Sequence, residues 1–253
     1  MISTAIILAA GSGTRLGNSL TDRPKGFMKI GDETLIERSL RLLRANGIDK
    51  VLIGTGHLAE MYEALASRYD FVSCVYSDAY ATSDSMYTLY QMRDHISSDV
   101  LLLESDLLYE DRALTSLQQS TGDVILASEA SRAGDEVFIQ TDADGYLVDM
   151  SKDRSTLSSV AGELVGISRL TSDTLQDMFC FAGERFQDDL NLDNEQTLVA
   201  VAASRKLSIL VAQNLIWCEI DDACHLKRAT QHIYPAICAG ELADGKSITR
   251  NVR

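Results

Sequence analysis

The segment that most limits what this chain can fold into lies at its start, where the apolar run AIILAA meets GSGTRLG and then, past a polar stretch, RPKGF. A short apolar run closed by glycine reads as a buried strand feeding a tight turn. Gly11 and Gly13 let backbone amides approach an anion without interference from a Cβ, and Arg15 and Lys25 bring positive charge to the same place. Counting removes two familiar loops. A dinucleotide-binding fingerprint needs glycine at position 16, where Leu16 stands, and a Walker A loop needs G-K-S/T there. A lone GxG would suit an ordinary flexible turn, but Arg15 together with Pro24-Lys25 favours a loop that holds phosphate.

Downstream, β-rich runs alternate with amphipathic stretches at 4–10, 34–46, 50–54, 58–68 and 71–76. That alternation predicts βαβ units and a Rossmann-like, mostly parallel sheet flanked by helices. In 34–46 the apolar Leu35, Ile36, Leu40, Leu42 and Leu43 share one helical face, and Asn46-Gly47 supplies the stop. A helix is expected over 85–96, and the VLLL run in 99–104 reads as a central strand. After residue 122 the strands shorten, at 123–128, 136–141, 146–150 and 163–168, which predicts a small antiparallel insertion within 123–170 along one edge of the site. Helices at 172–181 and 195–205, strands at 207–212 and 215–220, and a closing helix at 222–233 follow. The 253 residues are expected to form one α/β domain over 1–238, with 239–253 as a tail or the start of a linker.

A net charge of −14 argues against nonspecific binding to nucleic acid or anionic membranes, so a phosphate ligand must be held by local cations and amides. Five scattered cysteines without CxxC spacing fit reduced thiols in a cytoplasm and no structural zinc. The opening MISTAIILAA lacks a basic leader and reads as a core strand, and no apolar run approaches the ~20 residues of a membrane span. His225, beside Cys224, reads as a helix surface residue.

Two acidic positions stand out. VLLLESD ends in Asp106, and a carboxylate at the carboxyl end of a central strand points into the ligand crevice. Far along the chain, IWCEIDD sets Glu219 and Asp221 two apart, on one face of a regular strand. Magnesium takes oxygen ligands from one or two carboxylates plus phosphate. Asp106 with Asp221 is therefore the expected metal pair. The competing reading is helix capping, by Asp106 on one helix and by Asp221 or Asp222 on the last.

LAAGSGTRLG followed by RPKGFMKIGDETLIER resembles the signature region of the sugar-phosphate and alcohol-phosphate nucleotidyltransferases. Over nearly its whole length the chain is most similar to the phosphonate cytidylyltransferases, through RPKGFMKIGDETLIERS, SDSMYTLY, LLLESDLLYE, GDEVFIQ, MSKD, ELVGIS and WCEIDDACHL. The resemblance implies a GT-A-like nucleotidyltransferase fold whose loop 8–17 wraps the triphosphate of CTP. It gives Arg15 and Lys25 the catalytic task of stabilising charge on the α-phosphate and on departing pyrophosphate. Leu8, Ala10, Gly11, Ser12, Gly13, Thr14, Gly56, Ser83, Ser85 and Ser105 would contact the nucleotide, with cytosine favoured, and Asp106 and Asp221 would share Mg2+. The implied reaction joins CMP to 2-aminoethylphosphonate. A 2-aminoethylphosphonate transaminase, fused or associated, and a second copy of the chain are the implied partners. A phosphocholine cytidylyltransferase, a sugar-1-phosphate uridylyltransferase and a noncatalytic nucleotide-sensing subunit stay open as alternatives.

Acceptor chemistry narrows the choice. A quaternary ammonium is best held in an aromatic cage, yet the only Trp is Trp217 and the stretch 128–166 offers just Phe138 and Tyr146. A primary ammonium wants carboxylates, and that stretch offers Glu129, Asp135, Glu136, Asp142, Asp144 and Asp153. Asp135 and Glu136, with Glu163 and Glu219, are the expected acceptor contacts. Lys152 follows a strand where related sugar nucleotidyltransferases carry a lysine for the acceptor's phosphate, and the resemblance gives it the phosphonate.

Overall fold

The computed structural model describes residues 1–13, 22–131 and 133–243. Thr14 and Arg15 lie outside the described residues, as does 244–253. The first strand, β1 (Thr4–Ala9), is buried along its whole length at the centre of a mixed sheet. On one side it pairs in parallel with β4 (Lys50–Thr55), which pairs with β5 (Val72–Tyr76). On the other it pairs in parallel with β6 (Val100–Glu104). The chain order thus reverses at β1, and the crevice beyond the carboxyl ends of β1 and β6 is where such sheets bind ligands.

Alternation along the strands sorts the core onto two faces. Ala5, Ile7 and Ala9 pack with α1 (Leu35–Ala45), α2 (Ala59–Ala66) and α4 (Arg112–Gln119) through Ile36, Leu40, Leu65, Leu114 and Leu117. Ile6 and Leu8 pack with α3 (Ser85–Gln91), α5 (Ser172–Arg185) and α6 (Asn194–Ala202) through Met86, Leu89, Met178 and Leu198. Each such leucine, isoleucine or methionine side chain contributes about 1.5–3 kcal/mol by leaving water. The helix expected at 34–46 forms with a capping box between Thr34 and Glu37, and Gly47 ends it at a φ of 81°.

The change of rhythm after residue 122 marks where the sheet turns antiparallel. β8 (Val124–Ser128), β9 (Phe138–Thr141), β10 (Leu147–Ser151) and β11 (Gly162–Leu170) continue the same sheet, with β11 directly beside β6. Only the β9–β10 hairpin reaches the crevice as a wall. β11 shifts register between Leu164 and Ser168 around Gly166, whose φ is 79°. A Cβ there would lie 3.1 Å from Glu104 Cδ, so the glycine makes room for that carboxylate.

The strand expected at 215–220 shrinks to β13 (Trp217–Glu219), which leaves the large sheet to pair antiparallel with β7 (Leu107–Tyr109). β12 (Ser208–Ala212) stays in the large sheet, parallel to β8. The closing helix also runs further than its sequence pattern. α7 (Ala223–Arg228), a π turn over Ala229–Ile233 and α8 (Tyr234–Ala243) follow without a break, so 239–243 is helix, not tail. Few residues dock α8, which hides any amphipathic period: Ile237 is buried, Glu241 pairs with the buried Arg38, and Tyr234 covers Gly31. Gly31 sits in the turn between β2 (Lys29–Ile30) and β3 (Glu33–Thr34) at a φ of 67°. Met28, Ile30, Leu108, Cys218 and Ile220 join this helix in a third apolar cluster. Among the described residues no helix is long and apolar enough to cross a membrane.

Candidate active site

Lys25 opens a single 3-10 turn, Lys25–Phe27, after Pro24. Phe27 anchors the turn edge-on against Tyr62, and Gly26 is packed so tightly that a Cβ would sit 2.7 Å from the Tyr62 hydroxyl. The stem of Lys25 runs along Gly13, with its Cγ 3.2 Å from where a Cβ would be. From there Lys25 Nζ donates to Asp106 Oδ2 at 2.7 Å and to Asp221 Oδ1. Burial works against the lysine's charge, but Asp106 and Asp221 outweigh it and push its pKa up, so the ammonium stays protonated.

A short ladder unites the two aspartates. Glu219 pairs with Leu107 across β13 and β7, and the Ile220 amide donates to the Asp106 carbonyl at 3.1 Å. Both aspartates are thereby delivered to one spot, each less than a tenth exposed. Capping does not account for them. Asp222 caps α7 by accepting from the His225 amide, and Asp111 stands at the N-cap of α4.

Glu104 and Glu219 complete the cluster. One carboxylate oxygen each from Glu104, Asp106 and Glu219 fall within 4.8 Å of one another, as do those of Asp135, Glu219 and Asp221. Burial and the neighbouring carboxylates push Glu219 up to about 9, and burial with Glu195, Glu219 and Asp106 nearby raises Glu104 well above the usual range. Such crowding of hard oxygen donors is unfavourable without a cation and suits Mg2+ with it. The residues present therefore fit a divalent metal.

Lys25, Glu104, Asp106 and Glu219 line a cleft of about 750 Å³. Leu8, Ala10, Gly11, Gly13 and Ser105 line it from the strand ends, and Ser83 and Ser85 from the bend before α3. Asp84 caps α3 by accepting from the Ser85 amide. Two expected nucleotide contacts stand back. Ser12 is exposed on the loop and is absent from the wall, and Gly56 acts at one remove. A Cβ on Gly56 would lie 2.5 Å from Tyr80 Cβ and 2.8 Å from the Ala10 carbonyl, so the glycine lets Tyr80 close the cleft.

A smaller annex of about 80 Å³ opens beside the cleft, sharing Glu104, Val137, Lys152, Glu195 and Glu219. All four carboxylates expected to meet the acceptor reach it, but two accept hydrogen bonds from the protein itself. Glu163 is buried and accepts from the Ser131 hydroxyl at 2.8 Å and from its amide, holding that loop. Glu136 accepts from the Gly134 amide at 3.0 Å. Asp135 lies 3.5 Å from His225 Nδ1, so His225 is an inward-facing partner and not the surface residue its sequence suggested. Trp217 forms one wall with its indole N–H spent on Ser128 Oγ.

Against this geometry, the sequence matches the MobA-like NTP transferase domain over residues 5–175. The chain belongs to that family. It is 32% identical over 117 residues to the choline-phosphate cytidylyltransferase of Streptococcus pneumoniae, covering 46% of this chain and 51% of that protein. It is 26% identical over 161 residues to the 2-aminoethylphosphonate cytidylyltransferase of Lancefieldella rimae, covering 63% and 65%. The match thus spans between half and two thirds of each of these relatives. The fold is that of the Streptococcus pneumoniae CTP:phosphocholine cytidylyltransferase structure, with a TM-score of 0.77 at 22% identity over 91% of this chain and 99% of that one.

Several cleft residues escaped sequence reasoning, Glu104 and Tyr80 within the matched region and Glu195 beyond it. Glu104 was legible in principle, since ESD puts it two before Asp106 on the same strand face. Tyr80 and Glu195 carried no signal, because each sits in a polar stretch whose path only the tertiary fold sets.

Proposed function

We propose that the protein transfers CMP from CTP to 2-aminoethylphosphonate with release of pyrophosphate. The observation that carries this reading is the Lys25–Asp106–Asp221 cluster, set between the glycine loop and an annex that combines Lys152 with carboxylates. A phosphonate oxygen attacks the α-phosphorus of CTP, the bond to the bridging oxygen breaks, and pyrophosphate leaves with the electron pair. Phosphoryl-type transfer asks for positioning and charge stabilisation more than for covalent help. Lys25 and Arg15 supply positive charge along the triphosphate. Asp106 and Asp221, with Glu104 and Glu219 beside them, would hold Mg2+, which when bound neutralises phosphate charge and favours attack. Lys152 faces the acceptor's phosphonate.

The names of the relatives support a cytidylyl donor and a small phosphorylated or phosphonate acceptor. Within that range the annex favours a primary amine, since Trp217 is its one aromatic wall and a quaternary ammonium needs a cage. Phosphocholine is the second reading, and a sugar-1-phosphate with UTP the third. Pyrophosphate release with CTP or UTP against 2-aminoethylphosphonate, phosphocholine and glucose-1-phosphate separates them. A higher kcat/KM for CTP with 2-aminoethylphosphonate is expected, and a preference for phosphocholine would overturn the acceptor while leaving the reaction class.

A further inference from the structure

Resting on that reading of the acceptor, the carboxylate that meets its ammonium can be sought among the residues the protein has not already used. Glu163 and Glu136 are engaged by Ser131 and Gly134, Asp135 groups its carboxylate with those of Glu219 and Asp221, and Glu219 hydrogen-bonds Asp221 within the metal cluster. Asp193 caps α6 by accepting from the Gln196 amide at 2.7 Å. Glu195 differs from all of these. It lies where the cleft and the annex meet, lines both, and among the described residues forms no ion pair within 4.0 Å.

Its surroundings match a zwitterion. α6 packs across β10, whose end leads into Lys152, and the two side chains sense each other's charge. Lys152 also lines both cavities, so opposite charges face the same opening. In 2-aminoethylphosphonate the ammonium and the phosphonate are two methylenes apart, a molecule that presents the complementary pair. We propose that Glu195 is the specificity-determining residue that receives the primary ammonium of the acceptor while Lys152 receives its phosphonate.

Glu195 is also tied to the nucleotide side. The Asn194 amide donates to Ser85 Oγ at 2.9 Å, the Asp84 amide to the Leu190 carbonyl at 3.3 Å and the Met86 amide to the Leu192 carbonyl at 3.1 Å. The bend that lines the cleft at Ser83 and Ser85 therefore holds the start of α6 in place, and one framework sets both substrates. Burial, followed by the charge of Asp193, lifts Glu195 to about 7, so an arriving ammonium completes its ionisation and gains a charge-assisted hydrogen bond.

Steady-state kinetics of E195Q tests this with three substrates: 2-aminoethylphosphonate, ethylphosphonate, which lacks the amine, and CTP. Loss of one charged hydrogen bond should raise KM for 2-aminoethylphosphonate roughly 10–100-fold. KM for CTP and kcat/KM for ethylphosphonate should change far less than KM for 2-aminoethylphosphonate, and E195D should recover part of the loss. An unchanged KM for 2-aminoethylphosphonate in E195Q, or an equal loss with ethylphosphonate, overturns the role of Glu195. If the wild-type protein turns over no aminoalkylphosphonate with CTP, the acceptor reading itself falls, and the inference with it.

Discussion

Lys25 Nζ lies 2.7 Å from Asp106 Oδ2 and donates as well to Asp221, so one ammonium holds together two carboxylates that the sequence places 115 residues apart. All three side chains are at most 16% exposed. Removing the cation from such a group leaves buried charge without compensation, a loss of about 3–5 kcal/mol. K25M should therefore lower the melting temperature. Mg2+ should restore more of it in K25M than it adds to the wild-type protein, because a divalent ion replaces the missing charge. Thermal melts with and without Mg2+ check this, and equal metal effects in the two proteins would count against the Asp106–Asp221 site.

Asp106→Asn keeps the shape of the side chain and removes its charge. Turnover should fall by about 10²–10³-fold, in line with loss of one transition-state charge contact, while the circular dichroism spectrum stays that of the wild type. Unchanged activity would remove Asp106 from the site.

The raised carboxyls give stability a pH dependence. Glu195 titrates near 7 in the folded chain against 4.5 as a free side chain. Between these values the unfolded chain has lost the proton that the folded chain keeps, so the stability this group contributes is fully present below pH 4.5 and is lost as pH rises toward 7, by at most about 1.4 kcal/mol per pH unit. Denaturant unfolding at pH 5 and pH 7 should show the decline in the wild-type protein and a smaller one in E195Q. A decline of equal size in both would contradict it.

Gly56 makes a different forecast. A methyl group there would drive into Tyr80 and the Ala10 carbonyl, and the backbone oxygen cannot turn aside as a side chain can. G56A should cost about 1–3 kcal/mol and raise KM for CTP more than it lowers kcat, since Tyr80 lines the cleft. Melting and CTP kinetics measured together check both halves.

Much of this was legible from the residues alone. The run AIILAA announced the central strand, and the spacing of Leu35, Ile36 and Leu40 announced the first helix, because burial on one face imposes a period that survives in sequence. Asp106 and Asp221 were legible as acidic residues at strand ends. What brings them together, the short β7–β13 ladder, was not, since three-residue strands carry too few side chains to show alternation. Glu136 and Glu163 were read as acceptor contacts on charge alone. Their hydrogen bonds to Gly134 and Ser131 depend on loop paths that composition does not encode, and the same holds for Glu195 at the mouth of the annex. α8 stayed hidden because it docks through Tyr234, Ile237 and Glu241 without a repeating stripe.

Passage of CMP from CTP to the phosphonate of an aminoalkyl acceptor, as proposed, makes a P–O–P bond between phosphonate and phosphate. Phosphorus NMR of a reaction containing the protein, CTP, 2-aminoethylphosphonate and Mg2+ observes that bond directly. Two mutually coupled resonances, one phosphonate and one phosphate, growing in step with pyrophosphate are the predicted result. An unaltered phosphonate resonance, with CTP either intact or hydrolysed, would contradict it.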